Sequence, residues 1–204
     1  MRVGICVLLL LSMAATEASE GAWQRYLKNE SDLSPALSFP HETCFKSAAI
    51  AYDIPLTLLL AVARGESDFD VRARSHANAH GLMQILWPAT ANHLGIYRLS
   101  QLYDPCVNVD AGARYLREML NRYDNNVHLA LAAYNYGPHR IHRNRKIPDG
   151  AAWYSSYIHR HLDYVLGRGP SALPASVARD YSVEAKMALI TFGAPYRAQA
   201  FVDQ

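Results

Sequence analysis

The chain has 204 residues, half of them hydrophobic, and its 20 basic and 18 acidic side chains leave a formal net charge of +2. That length provides for one domain with its own core plus short extensions, and excludes a second large domain. Internal repeats and low-complexity tracts are absent from the sequence.

In chain order, Met1-Arg2 is followed by a run from Val3 to Leu11 almost without polar side chains, then by small residues at Ala14, Ala15, Thr16 and Ala18. Residues 1–18 therefore read as a secretory signal peptide, with cleavage expected after Ala18. The apolar run is too short to hold the chain across a bilayer, so no stable membrane span is expected once it is removed. Cys6 lies inside that run and does not read as a lipidation site. Residues 19–40 mix polar side chains with Pro35 and Pro40 and show little periodicity, which suits a lead-in segment that is partly ordered at best. The folded domain is expected over residues 41–167.

Within it, a short helix is expected from Cys44 to Tyr52, stopped at Asp53-Ile54 and followed by a second helix with Pro55 in its first turn. Leu56, Leu59, Leu60 and Ala63 recur at helical spacing and lead toward Glu66. Gly81-Leu82-Met83-Gln84 reads as the entrance of another helical segment that continues past Pro88 toward Leu94. From Asn108, the residues Val109, Gly112, Leu116, Leu120 and Tyr123 step by three or four, the clearest amphipathic helix in the chain. Further helices are expected from Leu129 to Tyr136, ended by Gly137-Pro138, and from Tyr154 to Leu166 before Gly167. No segment alternates strictly, so the fold class is mostly α, with helices around one core. The tail, residues 168–204, carries one short amphipathic stretch near Val183 to Ile190 and suggests no function of its own.

With Cys6 removed, Cys44 and Cys106 remain as an even pair in a chain bound for an oxidising compartment, and are expected to form one disulfide. The loop they close, roughly 60 residues, is worth about 4 kcal/mol in the chain-entropy picture. Paired metal-binding spacing is missing, and His159 and His161, two apart, point to different helix faces. No metal and no cofactor are expected.

Glu66 stands at the end of an apolar helix rather than on a charged face. Partial burial and the negative pole of a helix C-terminus both disfavour a carboxylate, so a raised pKa is expected, suited to proton donation to a glycosidic oxygen. Ser67 follows at once, with a hydroxyl placed to orient the carboxyl group. Taken alone, a Glu near a helix end is most often a solvated surface residue. The wider frame alters that. Glu66-Ser67-Asp68-Phe69, Ser75, Gly81-Leu82-Met83-Gln84 and Ala133-Tyr134-Asn135-Tyr136-Gly137 occur in an order and spacing that resemble the transglycosylase SLT domain of lytic transglycosylases. Tyr103-Asp104-Pro105 through Tyr115-Leu116 looks like the helix before the third box, so the resemblance covers about residues 44–166.

The resemblance implies a lysozyme-like helical domain with a substrate groove, in which Glu66 is the single catalytic acid and base and Ser67 its hydrogen-bonding neighbour. Met83 and Gln84 match residues lining the sugar groove, the one an apolar wall and the other a donor and acceptor. Tyr134 and Asn135 match the third box, the ring packing near the acid and the amide facing substrate. Tyr157 matches a tyrosine of the last helix, but Trp153 occupies the position where the family commonly has Glu, and the spacing from Pro148 is longer. Tyr154 is therefore a rival for that role. Trp87 before Pro88 is a second departure and bears on local groove shape.

Many glycosidases pair two carboxylates. Asp68 and Asp70, the nearest in sequence, read as loop residues. The resemblance implies instead that Glu66 cleaves the bond between N-acetylmuramic acid and N-acetylglucosamine in peptidoglycan without water, leaving a 1,6-anhydromuramyl end. Peptidoglycan glycan strands would be the partner and the periplasm the place of action. A hydrolytic lysozyme on the same scaffold and an inactive wall-binding component of an envelope assembly are the alternatives. The basic cluster Arg140, His142, Arg143, Arg145 and Lys146 invites a nucleic-acid reading; the export signal argues against one, and a solvated loop beside the groove is expected.

Overall fold

The computed structural model describes residues 20–168; the expected signal peptide and all but the first residue of the tail lie outside them. The lead-in segment departs from expectation. Residues 20–29 form a helix, α1, followed by a 3₁₀ turn over Glu30–Asp32. Trp23 and Tyr26, one helical turn apart, are buried in the core at 1% and 5% exposure. Beyond this turn the Ala36 N–H bonds the Val165 carbonyl at 2.9 Å.

Helix α2 spans Glu42–Tyr52 and is closed by Asp53 in the left-handed conformation, whose N–H returns to the Ala49 and Ile50 carbonyls. Pro55, unable to donate, precedes α3, Leu56–Ser67. Every residue from Thr57 to Ala63 is buried, so α3 is apolar all round and forms the centre of the core. Helix α5, Pro105–Arg122, starts earlier than the apolar stepping indicates, because Asp104 caps the Val107 N–H and Pro105 fills the first helical position. Its buried face runs through Val109, Gly112, Ala113, Leu116 and Leu120. Asn126 caps α6, Val127–Tyr136, by accepting from the Leu129 N–H, and Gly137 ends it. Helix α7, Asp149–Val165, follows Pro148 and buries Tyr154, Ile158, Leu162 and Val165. Helices α3 and α7 pack together, as do α2 and α5, and α6 lies against both α5 and α7. The disulfide Cys44–Cys106 ties α2 to the first turn of α5, with 4.9 Å between Cα atoms. No helix among the described residues is long and apolar enough to cross a membrane.

The segment from Gly81 to Leu94 is not the helix its sequence suggests. Strands β1, Ala79–His80, and β2, Ile85–Leu86, pair antiparallel, and Gly81 to Gln84 form the turn between them. Only a five-residue helix follows, α4, Ala89–His93. The cause is tertiary. Asn108 of α5, fully buried, donates to the His80 and Leu102 carbonyls at 2.9 Å each and accepts from the Met83 N–H at 2.7 Å. It supplies to the turn the backbone partners a helix would have supplied. Gly81 takes φ +75° there, and a Cβ on it would lie 2.3 Å from Asn108 Nδ2.

Candidate active site

Glu66 closes the last turn of α3, half-buried where α7 crosses. The crossing is tight because residue 65 is glycine: a Cβ there would meet Ile158 Cδ1 at 2.5 Å. Two tyrosines of α7 consequently reach the end of α3. Tyr154 donates its hydroxyl to Glu66 Oε1 at 2.7 Å, and Tyr157 donates to the Gly65 carbonyl at 2.9 Å. The structure therefore brings Tyr154, rather than Tyr157, to the carboxyl group. Tyr157 instead holds the neighbouring backbone, stacked on Trp153 and met edge-on by His161. Burial, with the Glu66 charge beside it, pushes the Tyr157 hydroxyl well above the ordinary phenol range. It stays a donor throughout the working pH range.

Ser67 does not turn its hydroxyl proton to Glu66. It donates to the Leu82 carbonyl at 2.8 Å, with the Ala63 carbonyl at 3.3 Å, and so pins the end of α3 to the β1–β2 turn. Met83 in that turn is fully buried against Gly112 and presents no side-chain wall to solvent. Its contribution is a carbonyl, which accepts from the Tyr134 hydroxyl at 2.8 Å. Gln84 is 6% exposed and donates its side-chain amide to the Gly81 and Ala73 carbonyls, so those hydrogens brace the turn rather than face the cleft. The three boxes thus converge, but mostly through backbone oxygens: Ser67 on Leu82, and Tyr134 on Met83.

A cleft of ≈ 460 Å³ opens along this convergence, between the β2–α4 segment on one side and α5 and α6 on the other. Gln84, Tyr134 and Asn135 line it. Tyr115, Tyr136, Thr90, His93 and Glu118 line it too; Tyr115 and Tyr136 lie in matched segments, but the sequence assigns none of the five a role. Tyr115 packs against Tyr134 with ring centroids 5.2 Å apart. Glu118 is held by His93 at 2.6 Å and by Arg114 at 3.6 Å. The spacing of Tyr115 and Glu118 along α5, three apart and next to the buried Leu116 and Met119, is the signal that would have placed both at a rim.

Neither acidic neighbour of Glu66 is arranged as a second catalytic carboxylate. Asp68 pairs with Arg64 at 2.9 Å, and Asp70 accepts from the Arg72 N–H at 2.8 Å; both are exposed. His161, packed against Tyr157, is lowered from the ordinary 6.5 to about 4, chiefly by burial and then by Arg64 and Arg160, and is neutral at pH 7. Among the described residues no three His, Cys, Asp or Glu side chains are grouped to hold a metal ion. In the basic loop, Arg143 is paired with Asp124, Lys146 reaches Asp149 at 3.1 Å, and Arg140 lies 5.8 Å from the Tyr136 ring centroid.

This arrangement has known counterparts. The sequence profile of the Transglycosylase SLT domain matches residues 43–154. The soluble lytic murein transglycosylase of Escherichia coli K12 is 36% identical over 104 residues, which are 48% of this chain and 16% of that protein. The transglycosylase of Enterobacteria phage PRD1 is 34% identical over 131 residues, 64% of this chain and 46% of that protein. In both cases the chain spans less than half the relative's length. Among solved structures, the 70 kDa soluble lytic transglycosylase of Escherichia coli superposes with a TM-score of 0.54 at 27% identity, over 67% of this chain and 26% of that one. A complex of the 70 kDa soluble lytic transglycosylase with bulgecin A gives 0.55 at 26% identity, over the same shares of the two chains. Since the matched stretch takes in the α3 glutamate, the β1–β2 turn and the α6 box, and covers more than half of the chain, the chain belongs to the Transglycosylase SLT domain family.

Proposed function

We propose that this protein is a peptidoglycan lytic transglycosylase in which Glu66 serves first as acid and then as base. The observation that carries the reading is the half-buried carboxyl group of Glu66, fixed by the Tyr154 hydroxyl, while Asp68 and Asp70 are engaged elsewhere. In the first step protonated Glu66 gives its proton to the oxygen of the β-1,4 bond between N-acetylmuramic acid and N-acetylglucosamine, and the C1–O bond breaks. The substrate's own N-acetyl group stabilises the cationic centre at C1, as in substrate-assisted glycosidases. In the second step Glu66, now a carboxylate, takes the proton of the muramyl 6-hydroxyl as that oxygen bonds to C1. The 1,6-anhydromuramyl product forms without water, and Glu66 recovers its starting proton.

The bound strand is placed in the cleft lined by Gln84, Tyr134, Asn135 and Tyr136, where aromatic faces and amides suit N-acetylated sugars. Substrate and site of action follow from the reaction: glycan strands of the wall, reached in the periplasm after export by residues 1–18. The similarity to lytic murein transglycosylases supports the substrate.

The test is digestion of purified sacculi by the chain lacking residues 1–18, with the masses of the released muropeptides. Products one water lighter than reducing-end muropeptides are expected. Reducing ends would make the enzyme a hydrolase, and an undigested sacculus would remove the activity.

A further inference from the structure

Helix α1 lies outside residues 43–154, yet it touches both helices that carry the site. Trp23 and Tyr26 are three residues apart and project from one face of α1. Trp23 Nε1–H donates to Ser155 Oγ at 2.8 Å, and the Tyr26 and Thr57 hydroxyls share a hydrogen bond of 2.8 Å; both bonds are buried. Thr57 stands in the first turn of α3, which ends on Glu66; Ser155 follows Tyr154 in α7. From α6, His128 Nδ1 meets the same Ser155 Oγ at 2.8 Å, and Asn126 donates to Glu20 at 2.8 Å. Ser155 is thus gripped from two sides, and the indole of Trp23 also meets the His159 ring edge-on at 5.0 Å.

Adjacent residues of a helix project about 100° apart, so whatever fixes α7 at Ser155 fixes the direction of Tyr154 as well. A tyrosine hydroxyl lies roughly 8 Å from its helix axis, and turning α7 by about 10° would carry it about 1.4 Å. The 2.7 Å bond from Tyr154 to Glu66 does not survive such a movement. We propose that Trp23 and Tyr26 are positioning residues: clamped on Ser155 and Thr57, α1 sets the rotation of α7 against α3 that delivers Tyr154 to Glu66. Their part in turnover rests on the activity proposed above; their part in the geometry does not.

Trp23→Phe keeps an aromatic ring and removes the indole N–H, and Tyr26→Phe removes only a hydroxyl. The direct measurement is the carboxyl ¹³C resonance of Glu66 at one fixed pH, assigned as the signal missing from Glu66→Gln. Tyr154→Phe is expected to move that resonance, Trp23→Phe to move it in the same direction, and Trp23→Phe added to Tyr154→Phe to move it no further. On sacculi, Trp23→Phe and Tyr26→Phe are each expected to lower kcat about 3- to 10-fold with KM unchanged, and to have no added effect in the Tyr154→Phe background. A Glu66 resonance unmoved by both α1 variants, or an equal loss of kcat with and without Tyr154, would overturn the clamp. The spectrum reads the geometry whether or not the parent digests sacculi, so this inference and the proposed activity fail separately.

Discussion

Tyr154 and Glu66 are 88 positions apart in the chain and joined by a hydrogen bond of 2.7 Å. The bond crosses from α7 to α3 beside Gly65, whose missing side chain leaves room for Ile158 of α7.

Replacing Glu66 by Gln keeps the shape and the bond to Tyr154 but removes the titrating proton. Release of muropeptides from sacculi is expected to fall at least about 10³-fold, with the melting curve of the parent retained. Residual digestion within about tenfold of the parent would mean that the proton comes from another residue.

The two tyrosines of α7 are expected to separate cleanly. Tyr154→Phe should lower kcat about 10- to 100-fold with little change in thermal stability, since the loss falls on the carboxyl group itself. Tyr157→Phe leaves the Gly65 carbonyl without its side-chain partner and should cost about 1 kcal/mol of stability, with a smaller loss of kcat. Steady-state kinetics beside urea denaturation reads both, and the reverse ranking in kcat would return the role to Tyr157.

Asn108→Ala removes three hydrogen bonds that shape the β1–β2 turn. A loss of about 2 to 4 kcal/mol is expected, because a buried N–H and two buried carbonyls are left unpaired. Activity should fall at temperatures where the variant is still folded, since Met83 and Gln84 lose the geometry that seats Tyr134. Chemical denaturation, with activity measured well below the transition, tests both halves.

Cys44→Ser opens a loop between residues 62 positions apart. The denatured chain gains freedom worth about 4 kcal/mol, and Tm is expected to fall on the order of 10 °C. Reduction of the parent should reproduce the shift, and an unchanged melting curve after complete reduction would show that the bond carries no stability.

His161 and His128 are both lowered by burial, His161 to about 4. The folded state binds their protons more weakly than the unfolded state, whose imidazoles titrate near 6.5. Stability from this source is therefore fully present above about 6.5 and is lost as pH falls toward 4, by an amount on the order of 3 kcal/mol. Urea titrations at pH 7, 5.5 and 4.5 should show the decline, and His161→Gln should flatten it. A decline as steep in the variant would place the sensitivity elsewhere.

The helices were legible where burial repeats at helical spacing within one segment. Val109, Leu116 and Leu120 mark α5, and Leu59, Leu60 and Ala63 mark α3, because those residues face a core on their own account. The β1–β2 turn was not legible, since its form is imposed by Asn108, some 25 residues downstream of Met83. Helix α1 escaped because two buried aromatics in ten residues make no periodic signal; their partners, Ser155 and Thr57, are far away in sequence. At the site, the box singles out Glu66, while the family pattern, from which this chain departs, points to Tyr157 and leaves Tyr154 as its rival. Stepping back by four from the buried Leu162 and Ile158 reaches Tyr154, so helical periodicity alone favours it over Tyr157.

Gly65 has a bearing on how such a chain can change over generations. With Glu66 and Tyr154 seated on two helices packed closely at Gly65, their separation is inherited from rigid rods and owes little to the mouth of the cleft. Under the proposed activity, changes at Tyr115, Tyr136 and Thr90 would then alter which decorated sugars are admitted while leaving the Tyr154–Glu66 pair where it stands.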